Sequence, residues 1–255
     1  MSARPSVFIT GASSGLGAAL ARHYGERGAR LGLLGRRIDA LQATAQGLNA
    51  QCYAADVRDL GAMQVAAQAF TEAFGPPGIV IAAAGISVGT LTEDAADASV
   101  FRAVMDVNVL GMVHTFQPFI AAMRARGSGV LCGISSVSGV RGLPGSSAYS
   151  ASKAAATVYL ESLRLELRGS GMSVVTVAPG FIDTPMTQVN PYPMPFKMRA
   201  DQAAQKVADC IAHRYAYRVI PWQMARVARL LKWLPNRLYD AAFEKAPRKP
   251  RHLPL

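Results

Sequence analysis

Two hydrophobic rhythms alternate along the chain. Short apolar runs of strand length occur at Ser6 to Thr10, Arg30 to Leu34, Gln51 to Ala55, Gly78 to Ala82, Gly129 to Ser135 and Met172 to Val177. Between them, Leu16 to Arg27, Leu60 to Phe74, Val100 to Met123 and Tyr149 to Arg168 carry apolar residues at helical spacing. Strand and helix in turn predict an α/β fold: a doubly wound parallel sheet of the Rossmann type, with helices on both faces. A strand covered on both faces reads as a continuous apolar run, and Gly78 to Ala84 does so while being too short to cross a membrane. From Gln188 the pattern breaks. Pro191, Pro193 and Pro195 preclude a regular helix there, and the stretch reads as a loop over a site. A last strand is expected at Tyr217 to Ile220.

At 255 residues and 51% hydrophobic, the chain suits one large core. The expected organisation is a single domain. A dinucleotide-binding and catalytic core spans 1–186, a substrate loop with the last helix and strand spans 187–220, and a helical C-terminal extension spans 221–255. In the extension, Trp222, Val227, Leu230, Leu231 and Leu234 share one side of a helix, with Arg226, Arg229 and Lys232 toward the flanks. A second helix follows from Asn236 to Lys245. Such a helix packs on its own core or on a subunit neighbour. It would also suit a membrane interface, where Arg248, Lys249 and Arg251 would add attraction to anionic lipid.

Charge sharpens this division. The net charge is +11, and the stretch from Lys197 onward holds 13 of the 27 Lys and Arg but 4 of the 16 Asp and Glu. The remainder is nearly neutral, which argues against a nucleic-acid surface. Three scattered cysteines offer no disulfide framework, and four distant histidines offer no metal-ligand spacing, so no metal is expected. The start of the chain shows no signal-peptide pattern, and a cytoplasmic location is expected, peripheral to a membrane if the extension binds one.

The first strand runs into Thr10-Gly-Ala-Ser-Ser-Gly-Leu-Gly17, followed by an alanine-rich helix. Gly11, Gly15 and Gly17 permit a tight turn, close approach of backbone to a pyrophosphate, and close packing of helix on sheet. This is the setting of a dinucleotide site. Where an NAD site would place an acid after the second strand, the chain has Arg36 and Arg37. A guanidinium binds a ribose 2′-phosphate, which favours NADP(H) over NAD(H); alternatively the pair solvates a helix start. Asp56, after the third strand, suits an adenine contact or a helix N-cap.

Tyr149 and Lys153 stand four apart at the start of a helix and project from one face, behind a serine cluster at Ser135, Ser136 and Ser138. A phenol titrates near pH 10, and an adjacent ammonium would lower it toward use as an acid or base.

These residues together resemble the short-chain dehydrogenases/reductases, in the shorter single-domain branch, from Val7 to about Met186. The resemblance selects Ser136, thirteen positions before the tyrosine, and adds Asn108 to give a catalytic set of Asn108, Ser136, Tyr149 and Lys153. It implies cofactor contacts from Gly11, Ser13, Ser14, Gly15, Leu16, Gly17, Arg36, Arg37, Asp56, Val57, Ala83, Gly85, Tyr149, Lys153, Pro179, Gly180, Ile182 and Thr184. The implied chemistry is hydride transfer between NADP(H) and a ketone, aldehyde or secondary alcohol, with Tyr149 exchanging the proton, Ser136 bonding the substrate oxygen, and Asn108 holding a water beside Lys153. The sequence departs from the family at Ala82-Ala-Ala-Gly85, where Asn-Asn-Ala-Gly is usual. Met186, Tyr192, Met194, Phe196 and Met198 suggest an apolar substrate pocket, with Gly139 to Ser147 as its other wall. A homodimer or homotetramer built on the helices of Asn108 and Tyr149 is implied too. A catalytically silent nucleotide binder recruiting a partner or membrane through its tail would share the glycine turn, but has no need of all four catalytic residues.

Overall fold

The computed structural model describes residues 5–253. The first half alternates strictly: β1 (Ser6–Thr10), α1 (Gly15–Gly25), β2 (Arg30–Gly35), α2 (Ile38–Ala45), β3 (Ala50–Ala54), α3 (Leu60–Phe74) and β4 (Ile79–Ala82). Then follow α4 (Asp97–Met105), α5 (Gly111–Arg126), β5 (Gly129–Ile134), α6 (Ser147–Glu166) and β6 (Met172–Pro179). The chain finishes with β7 (Ile182–Asp183), α7 (Pro185–Gln188), β8 (Met198–Arg199), α8 (Ala200–Ala212), β9 (Tyr217–Ile220), α9 (Trp222–Trp233) and α10 (Asn236–Phe243).

The sheet order is β3-β2-β1-β4-β5-β6-β9, with every pairing parallel. From β1 the chain winds outward to β3, then returns to pair β4 on the other side of β1. The carboxyl ends of β1 and β4 therefore diverge into a crevice, the usual ligand position in such sheets. Alternation along β1 sends Val7 and Ile9 to one face and Phe8 to the other. The first face buries Leu20 of α1 and Val207 of α8; the second gathers Phe8, Phe70 and Phe119, whose ring centroids lie 4.8 to 6.1 Å apart. Edge-to-face packing of this kind fixes α3 and α5 against the sheet.

The helix expected from Val100 to Met123 is interrupted. Between α4 and α5 the backbone widens into a π turn, Asp106–Leu110, which turns both Val107 and Asn108 inward, 9% and 1% exposed. The proline-rich stretch also carries more order than expected, because β8 pairs with β7 through Ile182 and Met198.

The extension packs on the protein's own core, on a different face from the one its apolar spacing suggested. Met224 and Ala228 are buried, whereas Trp222 and Leu230 are 59% and 66% exposed. Met224 sets this orientation by filling the space beside Gly180, where a Cβ would lie 2.6 Å from its Cγ. Arg141 clasps the end of α9, donating to the carbonyls of Leu231 at 3.0 Å and Leu234 at 2.9 Å. Its guanidinium also covers the ring of Tyr239, whose hydroxyl donates to the Gly142 carbonyl at 2.7 Å. Beyond α10 the chain runs back across the sheet's carboxyl end, so that Lys249 and Arg251 face protein groups. Among the described residues no helix is long and apolar enough to cross a membrane.

Candidate active site

A cavity of about 280 Å³ opens in the crevice. One end is the glycine turn, where Gly11, Ser13, Ser14, Gly15, Leu16 and Gly17 line it. A Cβ on Gly17 would lie 2.2 Å from the Gly11 carbonyl oxygen, and one on Gly11 2.7 Å from the Ala84 backbone. Only glycine permits this curl. Ser14, the N-cap of α1, makes no side-chain capping bond, and the first turn holds no acid. The leading N–H groups of α1 are thus left for an anion.

Along the cavity follow Arg36, Asp56 and Val57, then Ala83 and Gly85, and on the opposite side Pro179, Gly180, Ile182 and Thr184. Arg37 is not among the lining residues. It occupies the N-cap position of α2, and both arginines are exposed. Asp56 is not the cap of α3. Asp59 is, its carboxylate accepting from the Ala62 N–H at 3.0 Å. Asp56 accepts from the Arg58 backbone at 2.9 Å and guanidinium at 2.7 Å, and these bonds hold its pKa below the usual carboxylate range. The alanines at Ala82 to Ala84 leave no orphaned side chain beside them: the buried polar atoms without partners among the described residues lie at Arg30, Ser150, Asn190 and Gln223.

The other end carries Ser136, Tyr149 and Lys153. The serine cluster sorts itself by hydrogen bonding. Ser135 donates to the Lys153 carbonyl at 3.0 Å and meets Thr157 at 2.6 Å, a helix-to-strand tie. Ser136 accepts from the Ser138 N–H at 3.1 Å, which leaves its own hydrogen to give. Burial pushes the Tyr149 phenol up; the nearby Ser136 hydroxyl opposes this, and Tyr192 adds to it. The lowering expected from Lys153 does not set this direction. The Lys153 amine turns to the Ile134 carbonyl, 2.9 Å away, and lies 5.7 Å from the centre of the Tyr149 ring. Lys153 is itself buried, and its pKa is pushed down to about 8.

Asn108 stands behind this group. Its Oδ1 accepts from the Ile86 N–H at 2.9 Å, and its Nδ2 donates to the Ile86 carbonyl at 3.0 Å and to Ser152 at 2.9 Å. The amide thereby clamps the chain after β4 to the π turn and α6. Gly85 sits close beside it, since a Cβ there would lie 3.1 Å from Asn108 Oδ1 and 3.6 Å from Lys153 Nζ and crowd both.

Of the residues suggested for the apolar pocket, Met186 lines the cavity, whereas Tyr192 and Met194 are partly buried outside its lining. Met198 does not belong there: the β7–β8 pairing buries it in the core, 6% exposed. Phe196 is 48% exposed. Ile86 and Val107 also line the cavity and were missed by sequence reasoning, although each flanks a named residue, while Pro185 and Thr187 line it from the start of the segment expected to close over the substrate. Lys249 was missed too. Its amine lies 5.2 Å from the centre of the Tyr149 ring.

A nucleotide-cradling turn that shares one cavity with a Ser-Tyr-Lys group defines a dehydrogenase scaffold, and the sequence profile of the short chain dehydrogenases matches residues 5–192. The chain belongs to that family and is an oxidoreductase of the alcohol–carbonyl type. It is 38% identical over 242 residues to an uncharacterized oxidoreductase of Myxococcus xanthus, covering 93% of this chain and 95% of the relative. It is 36% identical over 181 residues to an acetoacetyl-CoA reductase of Synechocystis, covering 71% and 73%. Among solved structures, a variant actinorhodin polyketide ketoreductase with NADPH superposes with a TM-score of 0.78 at 26% identity, over 85% of this chain and 95% of the other.

Proposed function

We propose that the protein is an NADP(H)-dependent oxidoreductase interconverting a largely apolar ketone or aldehyde and its alcohol, with Tyr149 exchanging the proton. The observation that carries this reading is the meeting of Ser136, Tyr149 and Lys153 at one end of the cavity whose other end is the glycine turn. The cradle fits a dinucleotide: free N–H groups at α1, no room for side chains at Gly11 or Gly17, and a cation, Arg36, where a 2′-phosphate would lie. Bound there, the cofactor supplies the hydride.

The chain's own groups do the rest. Ser136, already accepting from Ser138, directs its hydrogen to the substrate oxygen. Tyr149, kept protonated by burial, donates to the same oxygen as negative charge develops on it. Lys153, which lines the same cavity, would hold a ribose hydroxyl of the bound cofactor. A water beside the Asn108 amide would join it to Lys153 and return the proton to the phenol. The NADPH-bound ketoreductase and the acetoacetyl-CoA reductase among the similar proteins support a carbonyl substrate and the phosphorylated cofactor.

The test is a fluorescence titration with NADPH and NADH of the wild type and Arg36→Ala. NADPH is expected to bind at least about tenfold more tightly, equivalent to about 1.4 kcal/mol, and Arg36→Ala to erase the difference. Equal affinities in the wild type would overturn the cofactor assignment. Tyr149→Phe should keep that affinity and lose about 10²- to 10⁴-fold in kcat on any carbonyl the wild type reduces.

A further inference from the structure

Two ammonium groups flank the ring of Tyr149. Lys153 comes from the same helix; Lys249 arrives on the segment after α10 and bonds the Ser87 hydroxyl at 2.5 Å. That segment is seated, not draped. The Gly89 N–H donates to the Pro250 carbonyl at 2.8 Å, and Arg251 is bonded to Asp97 at 2.9 Å and to Asp94. The receiving surface is shaped for it. A Cβ on Gly89 would lie 2.3 Å from the Lys249 carbonyl oxygen, and one on Gly145 2.8 Å from Arg248 Cβ. The strap thus bridges the segment after β4 and the segment before α6, beside the Tyr149 ring.

Charge is unevenly settled there. Asp94 and Asp97 share the single guanidinium of Arg251, so their charge is satisfied within that group apart from Lys249. Among the described residues no carboxylate forms an ion pair with Lys249, and partial burial pushes its pKa down to about 8. A half-buried ammonium held only by a hydroxyl and a ring face is incompletely compensated, and an incoming anion would complete it. One cation and one hydroxyl match a monoanion better than a phosphate, which needs more donors.

We propose that Lys249 is a specificity-determining residue, and that the carbonyl compound reduced here carries a carboxylate on the part of its apolar body that faces the strap. This narrows the oxidoreductase reading above and rests on it.

The probes are 6-oxoheptanoate and 4-acetylbenzoate, each against its methyl ester, with saturating NADPH and the full chain. The wild type is expected to favour each acid over its ester in kcat/KM. In Lys249→Met that preference should fall about tenfold or more, through KM, and Lys249→Arg should keep most of it. A wild type that favours the esters, or a preference that Lys249→Met leaves in place, overturns the proposal. If no probe is reduced, the carbonyl-reduction reading loses its support, and the lysine is judged by thermal shift. 6-Oxoheptanoate should then raise the Tm of the NADPH complex in the wild type but not in Lys249→Met. Equal shifts, or none, reject the role of Lys249.

Discussion

At the scale of the residue, Lys153 couples the chemistry to stability. Its ammonium is buried against the Ile134 carbonyl, with a pKa near 8 where the unfolded chain would have 10.5. Between those values the unfolded chain holds a proton that the folded protein has shed, so this residue makes stability rise with pH through that window. Below about pH 8 its penalty is fully present, on the order of 3 kcal/mol. Lys153→Met should therefore melt higher than the wild type at pH 7, by a margin that shrinks toward pH 10.5. Melting curves across that range check it, and a margin independent of pH would refute the burial argument. The i, i+4 pair was legible because helix geometry alone puts Tyr149 and Lys153 on one face. The direction of the phenol's shift was not, because it depends on where the lysine amine turns. Nor could sequence separate Arg36, which lines the cavity, from Arg37, which takes the N-cap position of α2.

At the scale of the element, the π turn is the feature that periodicity could not report. Apolar residues continue on both sides of it, so the stretch from Val100 to Met123 reads as one helix, yet the wider turn delivers Asn108 to Ile86. Asn108→Ala would strip the Ile86 N–H and carbonyl of their partner, at about 1–3 kcal/mol in chemical denaturation. Because Ile86 lines the cavity, NADPH affinity should weaken as well; unchanged affinity would confine the amide to a purely structural role. The orientation of α9 was hidden for a related reason. Several apolar residues compete for the buried face, and the choice of Met224 over Trp222 is made by the space beside Gly180, outside the helix.

Across the whole molecule, the doubly wound sheet was readable because each strand-helix unit announces itself locally. Its outer surface carries a further expectation. Leu110, Val158 and Leu165 are 49%, 62% and 56% exposed where the π turn and α6 face outward. Neighbouring exposed apolar residues on a folded chain favour association, here of copies of the chain through these helices. Light scattering should find a dimer or tetramer, and Val158→Glu should shift it toward the monomer; a monomeric wild type would dismiss the interface. The mouth was the least legible part, since a basic tail reads the same in sequence whether it is solvated or folded back.

The strap's reach also bears on how the molecule assembles. Lys249 meets Ser87 across 162 positions and Arg251 meets Asp97 across 154, whereas the glycine turn and its helix are sequence neighbours. Loop-closure entropy places so distant a contact late in folding, after the local units have formed. The glycine turn, a local unit, is thus expected to form before the strap seats beside Tyr149.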